Sequence, residues 1–224
     1  MSELPRKLLA EWLGSLLLAA TVVGSGIMAE QLSGGNVAIA LLANTAATVA
    51  VLVMLIALFG PISGAHFNPA VSLILVFRKS LRFDHALLYI VAQIIGCCLG
   101  ALLAHAMFDM SLLQISTHVR SGFAQWLAES IATFGLILVV LGHQRAEQAP
   151  WMVAAWIGAA YWFTSSTSFA NPAITIARSL SNTFSGIRPT DVPGFIVAQL
   201  VGAVVAFACC YVLFPTRQAT AELL

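Results

Sequence analysis

The sequence predicts an all-α membrane protein, with six transmembrane helices and two re-entrant half-helices arranged as an inverted repeat. Three observations carry this. The 224 residues are 60% hydrophobic and 8% charged, against about 25% charged in an average soluble domain. Long unbroken apolar runs stand where a membrane barrel would alternate apolar and polar residues. Two further segments, each containing Asn-Pro-Ala, are too apolar for water and too short to cross a bilayer. Ten basic and 9 acidic side chains cannot coat a soluble protein of this size, and a net charge of +1 leaves no nucleic-acid footprint. The same composition excludes intrinsic disorder. No cofactor is implied.

About 20 apolar residues span the hydrocarbon. Runs at 8–29, 36–59, 86–107, 122–142, 150–167 and 192–214 meet that length or come close to it. The fifth is the weakest, because Thr164 to Ser168 is polar. The first follows only seven residues and has no clear signal-peptidase site, so it reads as structure. With both termini cytoplasmic, Arg6, Lys7, Arg78, Lys79, Arg82, Arg145 and Arg217 lie inside, and Arg120, Arg178 and Arg188 lie outside. Basic residues gather on the cytoplasmic side, which favours this orientation in a plasma membrane.

The two short segments run from Gly60 to Arg78 and from Ser165 to Arg178. Asn is a leading helix cap and Pro fits the first helical position, so each segment opens a helix at Asn68 or Asn171. The first helix would run ten residues to Phe77, about 15 Å, half of a hydrocarbon core of roughly 30 Å. Opposite topology lets the two fold inward until their caps meet at the midplane, as a seventh, broken span. Irregular backbone at that depth is tolerated only beside protein or a water-filled path. A lined path through the protein follows.

Landmarks repeat along the chain. Ala10-Glu11 returns as Ala128-Glu129, Asn68-Pro69-Ala70 as Asn171-Pro172-Ala173, and Ala92-Gln93-x-x-Gly96 as Ala198-Gln199-x-x-Gly202. Three spans separate the copies, which inverts the second. The chain thus reads as one channel domain, residues 1–224, with repeats at about 1–112 and 113–224. These motifs, with Ser63 to Val71 around the first Asn-Pro-Ala, resemble the aquaporin (major intrinsic protein) family over nearly the whole chain. The resemblance implies a homotetramer in the lipid bilayer, with one pore per subunit for water and small neutral solutes. It also implies that Asn68 and Asn171 face the pore, and that carbonyls of Gly64–Phe67 and Thr167–Ala170 line it. Glu11 and Glu129 would brace the two loops, and His66 would pack in the cytoplasmic vestibule.

The chain departs from the family at the narrow constriction. Where most members carry Arg after the second Asn-Pro-Ala, Ile174 stands here. Counting by family spacing places Thr48, Ala159 and Ser168 beside it. Such a ring is wide, mostly apolar and uncharged, suited to glycerol, urea or an undissociated metalloid hydroxide such as arsenous acid. It resembles arsenic-associated, aquaglyceroporin-like bacterial members. A register error would bring Trp156, Tyr161, Trp162 or Phe163 into the pore instead of the lipid. Arg178, one turn past Ile174, is a candidate cation for the outer vestibule; the alternatives are snorkelling to the exterior or pairing with Asp191.

Intramembrane acids default to function, so Glu11 and Glu129 also admit a proton relay. That keeps an ion-coupled secondary transporter as the alternative. An enzyme would need a nucleophile–base pair or paired acids facing one cavity, and Asp84, Asp109 and Asp191 fall at span ends. The five histidines have no metal-ligand spacing. Cys97–Cys98 and Cys209–Cys210 read as small apolar filler, and Gly96-x-x-x-Gly100 as a close helix contact.

Overall fold

The computed structural model describes residues 3–143 and 145–214, and among them every regular element is helical. In chain order the α-helices are α1 (Glu3–Leu32), α2 (Val37–Ser63), α3 (Pro69–Phe77), α4 (Phe83–Met107), α5 (Phe123–Gly142), α6 (Ala149–Phe163), α7 (Pro172–Arg178) and α8 (Val192–Leu213). Five of them (α1, α2, α4, α5 and α8) are long and apolar enough to cross a membrane. Their outward faces carry exposed Leu87, Val91 and Ile95 on α4 and Val197, Val201 and Val205 on α8. Apolar surface of that extent belongs against lipid.

Local chemistry sets the ends. Asn36 caps α2 by accepting from the amides of Ala38 and Ile39. Asn68 and Asn171 cap α3 and α7, each with Pro at the first helical position. The second span runs past its expected end at 59, through Pro61, to Ser63. The fifth departs most. It was expected to reach residue 167, yet α6 closes at Phe163 after 15 residues, about 22 Å of helix. The Thr164 hydroxyl turns back to the Ala160 carbonyl at 2.6 Å, and Thr167 and Ser168 then take left-handed backbone. The polar stretch therefore belongs to a loop. Arg217, used above for orientation, lies outside the described residues.

The long helices pair as α1 with α4 and α5 with α8, and α2 lies against α1 and α6. Glycine allows the two close crossings. A methyl group at Gly96 would run into the Trp12 carbonyl oxygen, and one at Gly202 into that of Ser130. Both clashes are with backbone, so no side chain can yield. Cys97 and Cys210 are buried among apolar side chains, while Cys98 and Cys209 are half-buried.

Candidate functional site

The two loops that precede α3 and α7 share one backbone. In the first, Gly64, Ala65 and Phe67 have φ of 91°, 49° and 48°. In the second, Thr167, Ser168 and Ala170 have φ of 61°, 50° and 46°. A non-glycine residue held there costs of order 1–3 kcal/mol, so ten residues carry five such positions only because something holds them.

That something is a buried carboxylate in each half. Glu11, with no exposed surface, accepts from the amides of His66 at 2.9 Å and Phe67 at 2.8 Å, the Ser63 hydroxyl at 2.6 Å and the Gln93 amide at 2.8 Å. Glu129, equally buried, accepts from the amides of Phe169 at 2.8 Å and Ala170 at 2.9 Å and from Gln199 at 2.6 Å. Each glutamine also reaches the half-helix that its loop leads into, Gln93 to the Ser72 hydroxyl and Gln199 to that of Thr175. Every oxygen of both carboxylates is engaged by donors that fix the loops. The observed contacts are those of a brace, and such charge-assisted bonds are the strong ones.

The half-helices meet at their caps. Asn68 donates its side-chain amide to the Ala170 carbonyl at 2.7 Å, and Asn171 donates to the Phe67 carbonyl at 2.8 Å. Their side-chain oxygens meanwhile accept from Ala70 and from Ala173 and Ile174. Each primary amide has two hydrogens, so one on each Asn is left for whatever passes. Both side chains border a cavity of about 250 Å³ that runs through the helix bundle. That is room for a column of waters rather than a single one. His66 borders it on the α3 side, its Nδ1 3.0 Å from the Ser72 hydroxyl and its ring 5.2 Å from that of Tyr89. Further along, Leu75 and His143 line the mouth on that side.

Towards the other mouth the walls are Thr48, Tyr161, Ser168, Ile174, Phe169 and Arg178. Thr48, Ser168 and Ile174 border the cavity, but Ala159 does not. It is exposed on the opposite face of α6, two residues from Tyr161, which takes the inward position. A count along the chain does not read the rotation of α6 about its axis, which turns Tyr161 inward and Ala159 outward. The Thr48 hydroxyl donates to the Asn44 carbonyl at 2.8 Å and lies 3.3 Å from the Tyr161 hydroxyl, for which it serves as acceptor. The ring that sequence counting put in the lipid thus narrows the pore. Trp162 and Phe163 are exposed, and Trp156 ties its indole to the Ala132 carbonyl.

Arg178 neither snorkels nor pairs with Asp191. It is 3% exposed, its guanidinium lies 3.4 Å from the Phe169 ring centroid, and its Nε donates to the Ser185 carbonyl. Asp191 is held by Arg188 at 2.9 Å and by the backbone amide of Arg120. Arg120 was missed by motif reasoning. Its side chain reaches the Gly186 carbonyl at 2.8 Å and the Ser166 carbonyl at 3.2 Å, and stands 5.0 Å from the centroid of the same Phe169 ring. The available signal was that no other Lys, Arg, Asp or Glu lies between Asp109 and Glu129.

Lipid-facing helices around a continuous lined cavity, bordered at its centre by two opposed helix caps, define a membrane channel. Proteins of this class conduct solutes and are not enzymes. The chain belongs to the major intrinsic protein family, whose model matches residues 1–165 and 145–223; it is a passive channel for water and small solutes. It is 53% identical over 218 residues to Aquaglyceroporin AqpS of Rhizobium meliloti, covering 96% of this chain and 93% of that protein. It is 32% identical over 169 residues to a probable glycerol uptake facilitator protein of Thermotoga maritima, covering 69% of this chain and 71% of that one. Its fold is that of the aquaglyceroporin from Plasmodium falciparum, with a TM-score of 0.65 at 19% identity over 93% of this chain and 95% of the other. None of these relationships supports the ion-coupled transporter.

Proposed function

We propose that the channel passes uncharged solutes larger than water, namely glycerol, urea and neutral metalloid hydroxides such as arsenous acid, together with water. The observation that carries this is the wall at Ile174. An aliphatic side chain borders the cavity where the family pattern places a guanidinium, and the nearest cation, Arg178, sits a turn further out. The names of the relatives above point the same way. Ion exclusion comes from the centre. Two helix N-termini converge there, each carrying about half a positive charge, and the free amide hydrogens of Asn68 and Asn171 offer donors to a solute oxygen. Glu11 and Glu129 hold the loops whose carbonyls accept from the solute.

The same reading makes the chain one channel domain of two repeats, about 1–112 and 113–224. It forms a homotetramer in a bacterial inner membrane, with both termini cytoplasmic and Arg178 at the outer mouth. The test is reconstitution in liposomes, followed by light scattering after a gradient of glycerol, urea or arsenous acid, with water in parallel and a pH dye inside. Ile174→Arg is expected to cut glycerol and urea flux roughly tenfold and water flux far less, since a new guanidinium narrows the path and changes its polarity. Equal loss for all solutes, or none, would remove Ile174 from the constriction.

A further inference from the structure

The mouth at Arg178 holds more positive charge than a conduit for neutral solutes needs. Arg120 is 8% exposed and Arg178 3%, and both guanidiniums lie on Phe169. Among the described residues the ion pairs are Lys7–Glu3, Arg82–Asp84 and Arg188–Asp191, so neither arginine has a carboxylate partner. Glu129 is occupied by the amides of Phe169 and Ala170 and by Gln199. The two arginines instead grip three consecutive carbonyls. Arg120 Nη2 reaches that of Phe184, Arg178 Nε that of Ser185, and Arg120 Nε that of Gly186.

With Nη1 on the Ser166 carbonyl as well, all three of its nitrogens are engaged and Arg120 is fixed. Arg178 is not. Its Nη1 is buried and has no hydrogen-bond partner, and the Ser168 hydroxyl, also buried, has none either. Both residues border the same cavity. Buried charge without a counter-ion is costly, and a guanidinium presents its donors in a fork that matches a planar oxyanion. The neighbouring loop shows the field: burial, and the nearby guanidiniums of Arg120 and Arg178, hold His118 below the usual imidazole range.

We propose that this mouth is a binding seat for a small planar oxyanion of the nitrate or carboxylate class. The Arg178 guanidinium and the Ser168 hydroxyl are its donors, and Arg120 is a positioning residue that keeps the Ser185 carbonyl under Arg178. The proposal rests on the channel reading above. Because the seat lies on the conducting path, an occupant excludes solute, and such anions block the channel.

Proteoliposomes carrying the intact channel would be given a glycerol gradient in sodium chloride and in sodium nitrate of equal strength, with each salt on both sides. Flux in chloride tests the channel reading alone. Nitrate is expected to slow glycerol roughly fivefold and saturably, and Arg178→Gln to remove that difference while glycerol still passes in chloride. Ser168→Ala is expected to weaken nitrate block about threefold, as loss of one donor to an anion should. Where Arg178→Gln conducts nothing, thermal unfolding in detergent decides. Saturating nitrate, compared with chloride, is expected to raise Tm of the intact protein by about 3 °C and to leave that variant unmoved. Equal flux in the two salts for the intact channel would overturn the seat, as would a nitrate effect that survives Arg178→Gln in both assays.

Discussion

The loops at residues 64–68 and 167–171 have the same left-handed backbone and the same glutamate–glutamine brace, yet they are buttressed from outside in opposite ways. The first leans on neutral groups. Ser63 donates to Glu11, Tyr89 donates to the Ser63 carbonyl at 3.0 Å, and His66 pairs with Ser72. The second has no hydroxyl on its glutamate. Its support is Arg120 on the Ser166 carbonyl and a phenylalanine, Phe169, where the first loop has histidine. What the halves share holds the midplane, and what they do not share decides what each mouth admits. Symmetry serves the barrier to ions; asymmetry serves the choice of solute.

The sharpest way to break this comparison is to weaken the two braces separately. Glu129→Gln puts an amide donor against the backbone N–H of Phe169 or Ala170, which costs about 1–3 kcal/mol for the unsatisfied group and misaims the carbonyls. Solute flux is expected to fall roughly a hundredfold in liposomes, a loss of about 2.7 kcal/mol in barrier terms. Glu11→Gln should lose less, about tenfold, because the Ser63 hydroxyl can turn to accept from the new amide. Equal losses would mean that Ser63 adds nothing.

A smaller effect is expected at the caps. Asn68→Ala and Asn171→Ala each remove one cap, worth about 1 kcal/mol, and one bond between the loops. Thermal unfolding should show the two falling together, because that bond pair is the symmetric part. A Tm difference beyond a few degrees between them would show that the crossing bonds are unequal. Smaller again is Ser63→Ala, expected to cost about 1 kcal/mol through its bond to Glu11. Its counterpart Ser166→Ala should be near-neutral, since that hydroxyl meets only the Ser168 amide at 3.3 Å. Tyr161→Phe should also change stability little, near 0.5 kcal/mol for a 3.3 Å bond to Thr48. Tyr161→Ala should instead raise urea and glycerol flux by opening the ring.

Some of this was legible in the sequence because it is local. Asn followed by Pro specifies a helix start within two residues, so α3 and α7 begin where the motif stands. Glu11 and Glu129 could be paired by order along the chain, and burial then leaves a carboxylate little to do except accept hydrogen bonds. The illegible part is whatever depends on backbone between motifs. Tyr161 takes the place expected of Ala159 because the rotation of α6 about its own axis, which a count back from Asn171 does not read, decides which face turns inward. Arg120 touches nothing near it in sequence, its partners lying at 166, 184 and 186. Charge in a loop between spans reads as solvated until its neighbours are known. The fifth span stops four residues short of its expected limit for the reason that made it the weakest, the hydroxyl residues at 164–168.

The crossed asparagine bonds also bear on how the protein is made. Asn68 must find a carbonyl 102 residues downstream, and Asn171 one 104 residues back. At synthesis rates of about 5–20 residues per second, the first loop emerges roughly 5–20 s before its partner. Through that interval it sits in the bilayer without its cross-bond. The groups able to hold it, Glu11, Ser63, Ser72 and Gln93, are all translated by residue 93. The first brace is thus a waiting device as well as a support, keeping a half-finished pore from unravelling until the ribosome delivers the other half.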